Sequence, residues 1–330
     1  MRFAKYVNEY SQKSKAVHYW HIILIIESIL RRGPRIISEF VWFVRSNKLS
    51  SNLNQDTDKL DLPLIELLVV ATEKDFDLLE PVILNALSSS INEVNKIKIV
   101  VPAIHLDSCR EVLSNIRLPI NLKVQIINEE DVLHLKIRDC IRSQSDGNYG
   151  WLLQQFIKLK LASESNACGI LVVDADTFIL GKNVWLDSSG KQKIFVAATR
   201  YRPYFDFLKD LNVVKIKPKY SFVVHHMLYQ PNILRKLLEQ MNCSTFEDFS
   251  EKVLRHKRFN QVSSLSIDYE LYGQFLFKNF RELALLQRVS NLSLPREYLA
   301  QVMSEGHIEQ SFSNNYNSIS FHSWNLVNSH

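Results

Sequence analysis

The stretch "GILVVDADTFIL", residues 169–180, places two aspartates directly after an apolar run. Gly169 to Val173 is short and hydrophobic, which is typical of a buried strand. In an extended chain, residues two positions apart project to the same face, so Asp174 and Asp176 direct their carboxylates to nearly the same point. The sequence therefore predicts a core strand that delivers two acids together at its carboxyl end.

Two carboxylates so close repel each other unless a cation lies between them or one is protonated. Oxygen ligands suit a hard dication, Mg²⁺ or Mn²⁺, and Mg²⁺ commonly binds one or two carboxylates together with substrate phosphates. The pair thus predicts a metal site for a phosphate-bearing substrate. A turn in which the aspartates cap backbone amides is the competing interpretation.

Strands and helices alternate before this pair, which predicts an α/β fold with a mostly parallel central sheet. Such sheets bind ligands beyond the carboxyl ends of their strands. Beyond Leu180 the pattern is mixed, with strands expected in 193–199 and 220–229. The segments on which this prediction rests are strands 64–71, 96–102, 122–128 and 169–176, and helices 75–90, 106–115, 150–163, 231–241, 246–256 and 267–280.

The chain has 330 residues and a net charge of +5, but the charge is unevenly distributed. Residues 1–50 carry nine basic and three acidic residues, whereas the other 280 residues are close to neutral. We therefore predict a basic amphipathic arm and linker, 1–61, and a catalytic domain, 62–330. The run Trp20 to Leu30 is too short to span a bilayer. It fits either a helix at an anionic membrane surface or a helix docked on the body.

The remaining composition narrows the class of protein. The neutral body and the absence of interleaved aromatic and basic residues argue against nucleic-acid binding. The four cysteines form no CxxC pair and the first residues are polar, so we expect reduced thiols and a cytoplasmic protein, with the arm suggesting peripheral attachment to the inner membrane face.

Several motifs together resemble the GT-A glycosyltransferases, and in particular a poorly characterised bacterial group of that fold. The resemblance covers roughly residues 64–325 and leaves out the arm. Where that group tends to carry Glu, this chain has Asp268. The motifs are "GWLLQQFIKL" (150–159), "LVVDADT" (171–177), "SFVVHHMLY" (221–229), "SIDYELYGQF" (266–275) and "FHSW" (321–324).

The resemblance implies a GT-A-like, Rossmann-like fold and transfer of a sugar from a nucleotide-sugar donor to a glycan or lipid-linked acceptor, as in polysaccharide biosynthesis. It implies that Asp176 binds Mn²⁺ or Mg²⁺ against the donor diphosphate and that Asp174 helps with the metal or the ribose. His322 is the expected further metal ligand, although a histidine beside aromatic residues is often packed structurally.

The nucleotide side of the site is expected near the first strand, at Thr72 and Asp75, with Asp131 after the third strand as a weaker candidate. On helix 150–163, Gln155 and Lys158 lie on the polar face, and Lys158 is expected to neutralise donor phosphate. A solvated helix surface is the alternative.

The acceptor side is expected to involve one of two adjacent histidines, because His225 and His226 point to opposite faces of a strand. His226 is the predicted catalytic residue. Asp268 and Glu270 fall in the first turn of a helix that Ser266 is expected to cap, where acids are favoured in any case. One of them would act as general base in an inverting transfer.

Two other functions remain open. A haloacid-dehalogenase-like phosphatase also begins from an apolar strand and DxD, with the first Asp as nucleophile, but it has that motif on its opening strand. A non-catalytic nucleotide-sugar-binding protein would keep the fold and the ligand without turnover.

Overall fold

A computed structural model describes residues 62–144, 148–197, 202–214, 220–256, 266–300, 312–313 and 315–322. The predicted arm and linker, 1–61, lie outside the described residues. Of the helices in the part of the chain that the structure describes, none is both long enough and apolar enough to cross a lipid bilayer.

The strands are β1 Ile65–Val70, β2 Val94–Val101, β3 Lys123–Asn128, β4 Ile170–Asp174, β5 Thr177–Ile179, β6 Gln192–Val196, β7 His226–Tyr229, β8 Ala284–Arg288, β9 Asn291–Pro295 and β10 Ser318–His322. The helices are α1 Phe76–Ser89, α2 Leu106–Ser114, α3 Glu129–Val132, α4 Leu135–Gln144, α5 Tyr149–Ser163, α6 Arg202–Asp210, α7 Pro231–Gln240, α8 Phe246–Leu254 and α9 Tyr269–Asn279. Short 3-10 turns occupy Glu73–Asp75, Ala103–His105, Arg281–Leu283 and Arg296–Tyr298.

Within the described residues the central sheet has five strands in the order β3-β2-β1-β4-β7. The first four strands run parallel and β7 runs antiparallel to β4. The predicted α/β fold with a mostly parallel central sheet is confirmed. Because β1 and β4 lie side by side in parallel, their carboxyl ends meet at one edge, where Val70 pairs with Asp174.

The adjacent inner strands β1 and β4 are apolar because helices cover both faces of a parallel sheet. Leu67 and Val69 of β1, and Leu171 and Val173 of β4, are fully buried. The helix α5 packs against β1, α4, α7 and α8, which places it beside the strand that carries the aspartates. The edge strand β3 is the most exposed of the five.

Two smaller sheets follow the central one. β10 lies between β5 and β9, antiparallel to β5 and parallel to β9. β6 pairs in parallel with β8. The pairing of Ser320 with Thr177, strengthened by a 2.8 Å hydrogen bond between their hydroxyls, fixes β10 directly against the segment that follows Asp176.

The predicted strand 220–229 is shorter in the structure, since only β7, at its end, forms a ladder. The backbone amide of Phe222 donates to the Glu270 carboxylate at 3.0 Å, which removes it from strand pairing. The helix predicted from Ile267 begins at Tyr269, and Asp268 is its N-cap residue. Ser266, the expected cap, instead hydrogen-bonds the Asp268 side chain at 3.3 Å.

Gly273 lets α9 approach the segment before β7. A Cβ atom at this position would lie 2.3 Å from Cγ and 2.4 Å from Cβ of Phe222, far inside contact distance. Phe222 itself is fully buried. Because Gly273 has no side chain, the backbone of α9 packs directly against the ring of Phe222.

Candidate functional site

The carboxyl end of β4 brings Asp174 to the edge of the sheet beside β1 and β7. Its backbone amide donates to the His225 carbonyl at 3.0 Å, which continues the β4–β7 pairing by one residue. The next residues turn immediately into β5, so Asp176 lies at the same edge. The structure thus places both predicted carboxylates at the strand end that the sequence indicated.

Both oxygens of Asp174 have protein partners. Lys158 Nζ lies 2.6 Å from Oδ1, and the Tyr269 hydroxyl donates to the same oxygen at 2.9 Å. His225 Nδ1 lies 3.3 Å from Oδ2. Burial alone would raise the pKa of Asp174, but the Lys158 charge and the hydrogen bonds from His225 and Lys158 hold it well below its ordinary value. Asp174 is therefore a carboxylate already compensated by the protein.

The compensating cation, Lys158, is almost completely buried, with 3% of its side chain exposed. Its ammonium also lies 3.8 Å from Asp268 Oδ2 and over the ring of Tyr269 at 5.0 Å. Burial acts to lower the pKa of Lys158, but Asp174 and Asp268 outweigh burial and raise it. The Lys158 ammonium, which we expected from the sequence to face donor phosphate, thus faces the carboxylates of Asp174 and Asp268 instead.

Asp176 is held differently. Thr177 donates its hydroxyl to Oδ1 at 3.1 Å, and His322 Nδ1 lies 3.2 Å from Oδ2. The Phe321 amide donates to the Asp176 carbonyl at 2.8 Å, so the end of β10 is tied to the DxD segment. The structure therefore brings together Asp176 and the predicted metal ligand His322, which are 146 residues apart in the chain.

The donor set of this edge suits a dication that a substrate completes. Among the described residues, no three His, Cys, Asp or Glu side chains form a group that could hold a metal ion by themselves. However, ligands of an octahedral ion with bonds of ~2.1 Å stand ~3.0 Å apart when adjacent. The 3.2 Å between Asp176 Oδ2 and His322 Nδ1 is close to that spacing. Asp176 and His322 therefore fit as two protein ligands.

The β1–α1 loop forms the other side of the edge. Asp75 Oδ2 accepts hydrogen bonds from the Thr72 amide at 3.2 Å and the Thr72 hydroxyl at 3.1 Å. Burial raises the pKa of Asp75, and the negative charge of Asp176 acts in the same direction. Asp75 thus lies within electrostatic reach of Asp176.

His226, the histidine selected from sequence, does not face this edge. Its ring is fully buried between Trp185 and Phe195, with ring centroids 5.6 and 4.9 Å away. Burial lowers its pKa to about 3, so it remains neutral. The neighbouring His225 is the one beside Asp174, with 30% of its side chain exposed and its ring centroid 5.4 Å from that of His322.

Glu270, one of the two predicted bases, is also fully buried. Ser221 donates its hydroxyl to Oε2 at 2.5 Å, and Gln274 donates to Oε1 at 2.6 Å. Burial raises its pKa to about 7, against the lowering effect of these hydrogen bonds. A carboxylate enclosed in this way cannot reach an acceptor hydroxyl in this conformation, so we interpret Glu270 as a structural group of α9.

Two further predicted residues are placed away from an open site. The Gln155 side chain accepts from the Ile267 amide at 2.7 Å and donates to the Trp151 carbonyl at 3.3 Å, and it is buried. It therefore joins α5 to the segment before α9. Asp131 lies on α3 after β3, three strands from β4 in the sheet order, or roughly 14 Å at the usual strand spacing.

Asp268 is buried like Glu270 and Gln155, but it contacts a charged residue of the site. It is 3% exposed, and burial raises its pKa although the Lys158 charge opposes this. Its contact with Lys158 joins it to Asp174, so it belongs to the charged network of the site rather than to its open face.

Three residues of the site were not selected from the sequence. His225 was distinguishable from His226 only by the strand register. Tyr269 lies inside the "SIDYELYG" motif, but its hydroxyl shows its role only in the folded chain. Arg296 contacts the β1–α1 loop from 222 residues away, and no local pattern marks it.

Comparison with known proteins gives limited results. No family model matches the sequence, and no curated protein matches it. Among solved structures, apo mouse xyloside xylosyltransferase 1 is 12% identical, with coverage of 79% of this chain and 98% of that chain and a TM-score of 0.44.

The galactosyltransferase LgtC, in complex with donor and acceptor sugar analogues, is 11% identical over 78% of this chain and 86% of that chain, with a TM-score of 0.41. An active-site mutant of LgtC is 15% identical over 78% and 88%, with a TM-score of 0.43. At these scores the likeness establishes neither a common family nor a common activity.

Replacement of Lys158 tests the charge network. We expect Lys158→Met to lower the free energy of unfolding by about 3–5 kcal/mol, because it leaves Asp174 and Asp268 without their buried cation. Urea unfolding measures the loss. The control is Lys136→Met, which removes a surface ion pair with Glu251 and should cost about 0–1 kcal/mol. Equal losses in the two variants would show that Lys158 does not hold the network together.

Glu270 gives a prediction for pH dependence. Burial raises its pKa in the folded protein to about 7, above the ordinary value of 4.5 for a glutamate, so folding favours the protonated form. The stabilisation is fully present below the unfolded pKa and is lost as the pH rises through about 7. At about 1.4 kcal/mol per pKa unit it is on the order of 3 kcal/mol.

We therefore expect the free energy of unfolding of the wild type, relative to Glu270→Gln, to fall between pH 5 and pH 7.5. Urea denaturation at intermediate pH values measures this difference. A difference that stays constant over that range would mean that Glu270 titrates alike in the folded and unfolded chains.

Proposed function

We propose that this protein is a metal-dependent glycosyltransferase that moves a sugar from a nucleotide-sugar donor to a glycan or lipid-linked acceptor. One observation carries the proposal. At the carboxyl edge of a mostly parallel sheet, a compensated carboxylate, Asp174, lies beside an acid–histidine pair, Asp176 and His322, whose hydrogen-bond distance of 3.2 Å is also compatible with two ligands of one ion.

The proposed metal ligands are Asp176 and His322, which would hold Mn²⁺ or Mg²⁺ together with oxygens of the donor diphosphate. When bound, the dication offsets the negative charge on the departing nucleotide diphosphate. Asp174 orders this edge through Lys158, Tyr269 and His225 rather than binding as an uncompensated anion. Asp176 is thereby left as the principal anionic ligand.

The nucleotide is proposed to bind beside the β1–α1 loop. Thr72 and Asp75 lie at the end of β1, next to the strand that carries Asp174. The bonding of Asp75 to Thr72 orients the carboxylate through Oδ2, and the other oxygen, Oδ1, lies 3.6 Å from Arg296 Nη1. This location is the one at which parallel α/β sheets bind ligands.

The acceptor is proposed to approach from the side of His225. This imidazole is partly exposed and lies against both Asp174 and the His322 ring. Asp268 is proposed to act through Lys158 on the charge of the edge, not by direct contact with the acceptor hydroxyl.

The geometry supports transfer better than phosphatase chemistry. A haloacid-dehalogenase-like phosphatase would use Asp174 as the nucleophile, and its attacking oxygen must face the phosphorus atom. Here Oδ1 receives Lys158 and Tyr269, while Oδ2 faces His225.

A thermal-shift panel of UDP-, GDP-, CMP- and dTDP-sugars, each with and without Mn²⁺, tests the proposal. We expect one nucleotide to raise the unfolding midpoint by roughly 3–5 °C at about 100-fold above its Kd, and only with Mn²⁺. Asp176→Asn should abolish this shift because it removes a ligand. Asp107→Asn, at a solvent-exposed position of α2, is the control and should keep it.

The other functions give different results in the same preparation. Hydrolysis of a generic aryl phosphate would identify a phosphatase. Metal-dependent binding without transfer or hydrolysis of any donor would identify a nucleotide-sugar-binding protein. A full Mn²⁺-dependent shift in Asp176→Asn would contradict the proposed ligand.

We propose in addition that the basic residues 1–50 attach a cytoplasmic protein to an anionic membrane surface, which would suit a lipid-linked acceptor. The full chain should co-sediment with vesicles that contain phosphatidylglycerol, and less so at high salt because the attraction is screened. A chain that begins at Asp61 should not. Equal binding by the two chains would exclude this role for the arm.

A further inference from the structure

Arg296 connects two parts of the site that are far apart in the sequence. It follows β9 and reaches the β1–α1 loop, where its Nη2 donates to the Lys74 carbonyl at 2.9 Å. The same nitrogen pairs with the Asp77 carboxylate, and Nη1 lies 3.6 Å from Asp75 Oδ1. One guanidinium thus contacts a backbone carbonyl and an acid of the β1–α1 loop together with an acid in the first turn of α1.

The loop that Arg296 holds is the proposed nucleotide side of the site. Asp75 uses its Oδ2 for Thr72, and the oxygen that faces Arg296 is Oδ1. A nucleoside diphosphate is anionic, and the acids of this loop would repel it. Arg296 reduces that repulsion by lying between Asp75 and Asp77.

The backbone of Arg296 continues from β9, which pairs with the strand that carries the proposed metal ligand His322. In the parallel pairing of β9 with β10, Pro295 lies opposite His322, and Arg296 is the residue after Pro295. The strand that carries His322 is therefore paired with the strand that ends immediately before Arg296. Because β10 is also fixed to Asp176 through the Phe321 amide, both proposed ligands share this connection.

We propose that Arg296 is a positioning residue that couples nucleotide binding at the Thr72–Asp75 loop to dication binding at Asp176 and His322. The inference rests on the proposed function and adds to it a residue that links the two binding events. Such coupling is reciprocal, so the dication tightens the nucleotide by the same factor by which the nucleotide tightens the dication.

Calorimetric titration measures this factor. The probe is the free nucleotide (UDP, GDP, CMP or dTDP) of the donor that the thermal-shift panel identifies, titrated with and without Mn²⁺. In the wild type we expect Mn²⁺ to tighten binding about 10- to 100-fold, within the usual range of coupling. In Arg296→Gln we expect the factor to shrink at least about fivefold, whereas Arg296→Lys, which keeps the charge but loses the planar fork, should lie in between.

The matched control is Arg110→Gln, which removes an arginine from an exposed ion pair with Asp107 on α2. It should leave the coupling factor unchanged. If Arg296 only stabilised the fold, Arg296→Gln would lower the unfolding midpoint and keep the Mn²⁺-dependent factor of the wild type, and this result would overturn the inference.

A second variant serves if Arg296→Gln does not fold. Asp77→Asn removes a partner of Arg296 at a position with 63% of its side chain exposed, and it leaves Asp75 intact. A reduced factor in Asp77→Asn supports the coupling, and an unchanged factor contradicts it. A wild type that binds none of the four nucleotides would overturn the proposed function itself, whereas coupled binding in the wild type with no change in the variants overturns this inference alone.

Discussion

The ion pair between Lys158 and Asp174 is the interaction on which the rest of the site depends. Removing an aspartate at the end of a core strand from water costs free energy. The Lys158 ammonium, 2.6 Å away, provides the opposite charge in the same low-dielectric surroundings. Asp268 and Tyr269 tie the same cation to α9. The strand, α5 and α9 are thereby held together by one buried charge cluster.

This compensation separates the roles of two aspartates that the sequence presents as equivalent. Asp174 has its charge balanced by Lys158, whereas the Asp176 carboxylate accepts a hydrogen bond from the Thr177 hydroxyl and lies beside the His322 imidazole. The difference follows from position. Asp174 still belongs to the β4 ladder and faces α5, while Asp176 has entered the turn towards β5. The two carboxylates are exposed to nearly the same extent, 22% for Asp174 and 24% for Asp176, so their partners rather than their burial distinguish them.

Much of the fold was predictable because its signals are local. The apolar runs of β1, β2 and β4 and the periodicity of α5 depend on neighbouring residues, and the structure has them where the sequence indicated. Side-chain direction was harder to predict. His225 and His226 differ by one residue, so only the pairing of Val173 with His226 decides which ring lies in the core. Arg296 was invisible because its partners become neighbours only after the chain has folded.

The close approach of α9 to Phe222 has a consequence for finding related chains. Because there is no room for even a methyl group at Gly273, related chains that keep this contact between α9 and Phe222 must keep the glycine. The surrounding surface is free to diverge. Gly273, the eighth residue of the motif 266–275 and the fifth of α9, is thus a durable sequence marker. It can be searched for together with Asp174 and Asp176 in chains whose overall sequence similarity is too low to detect.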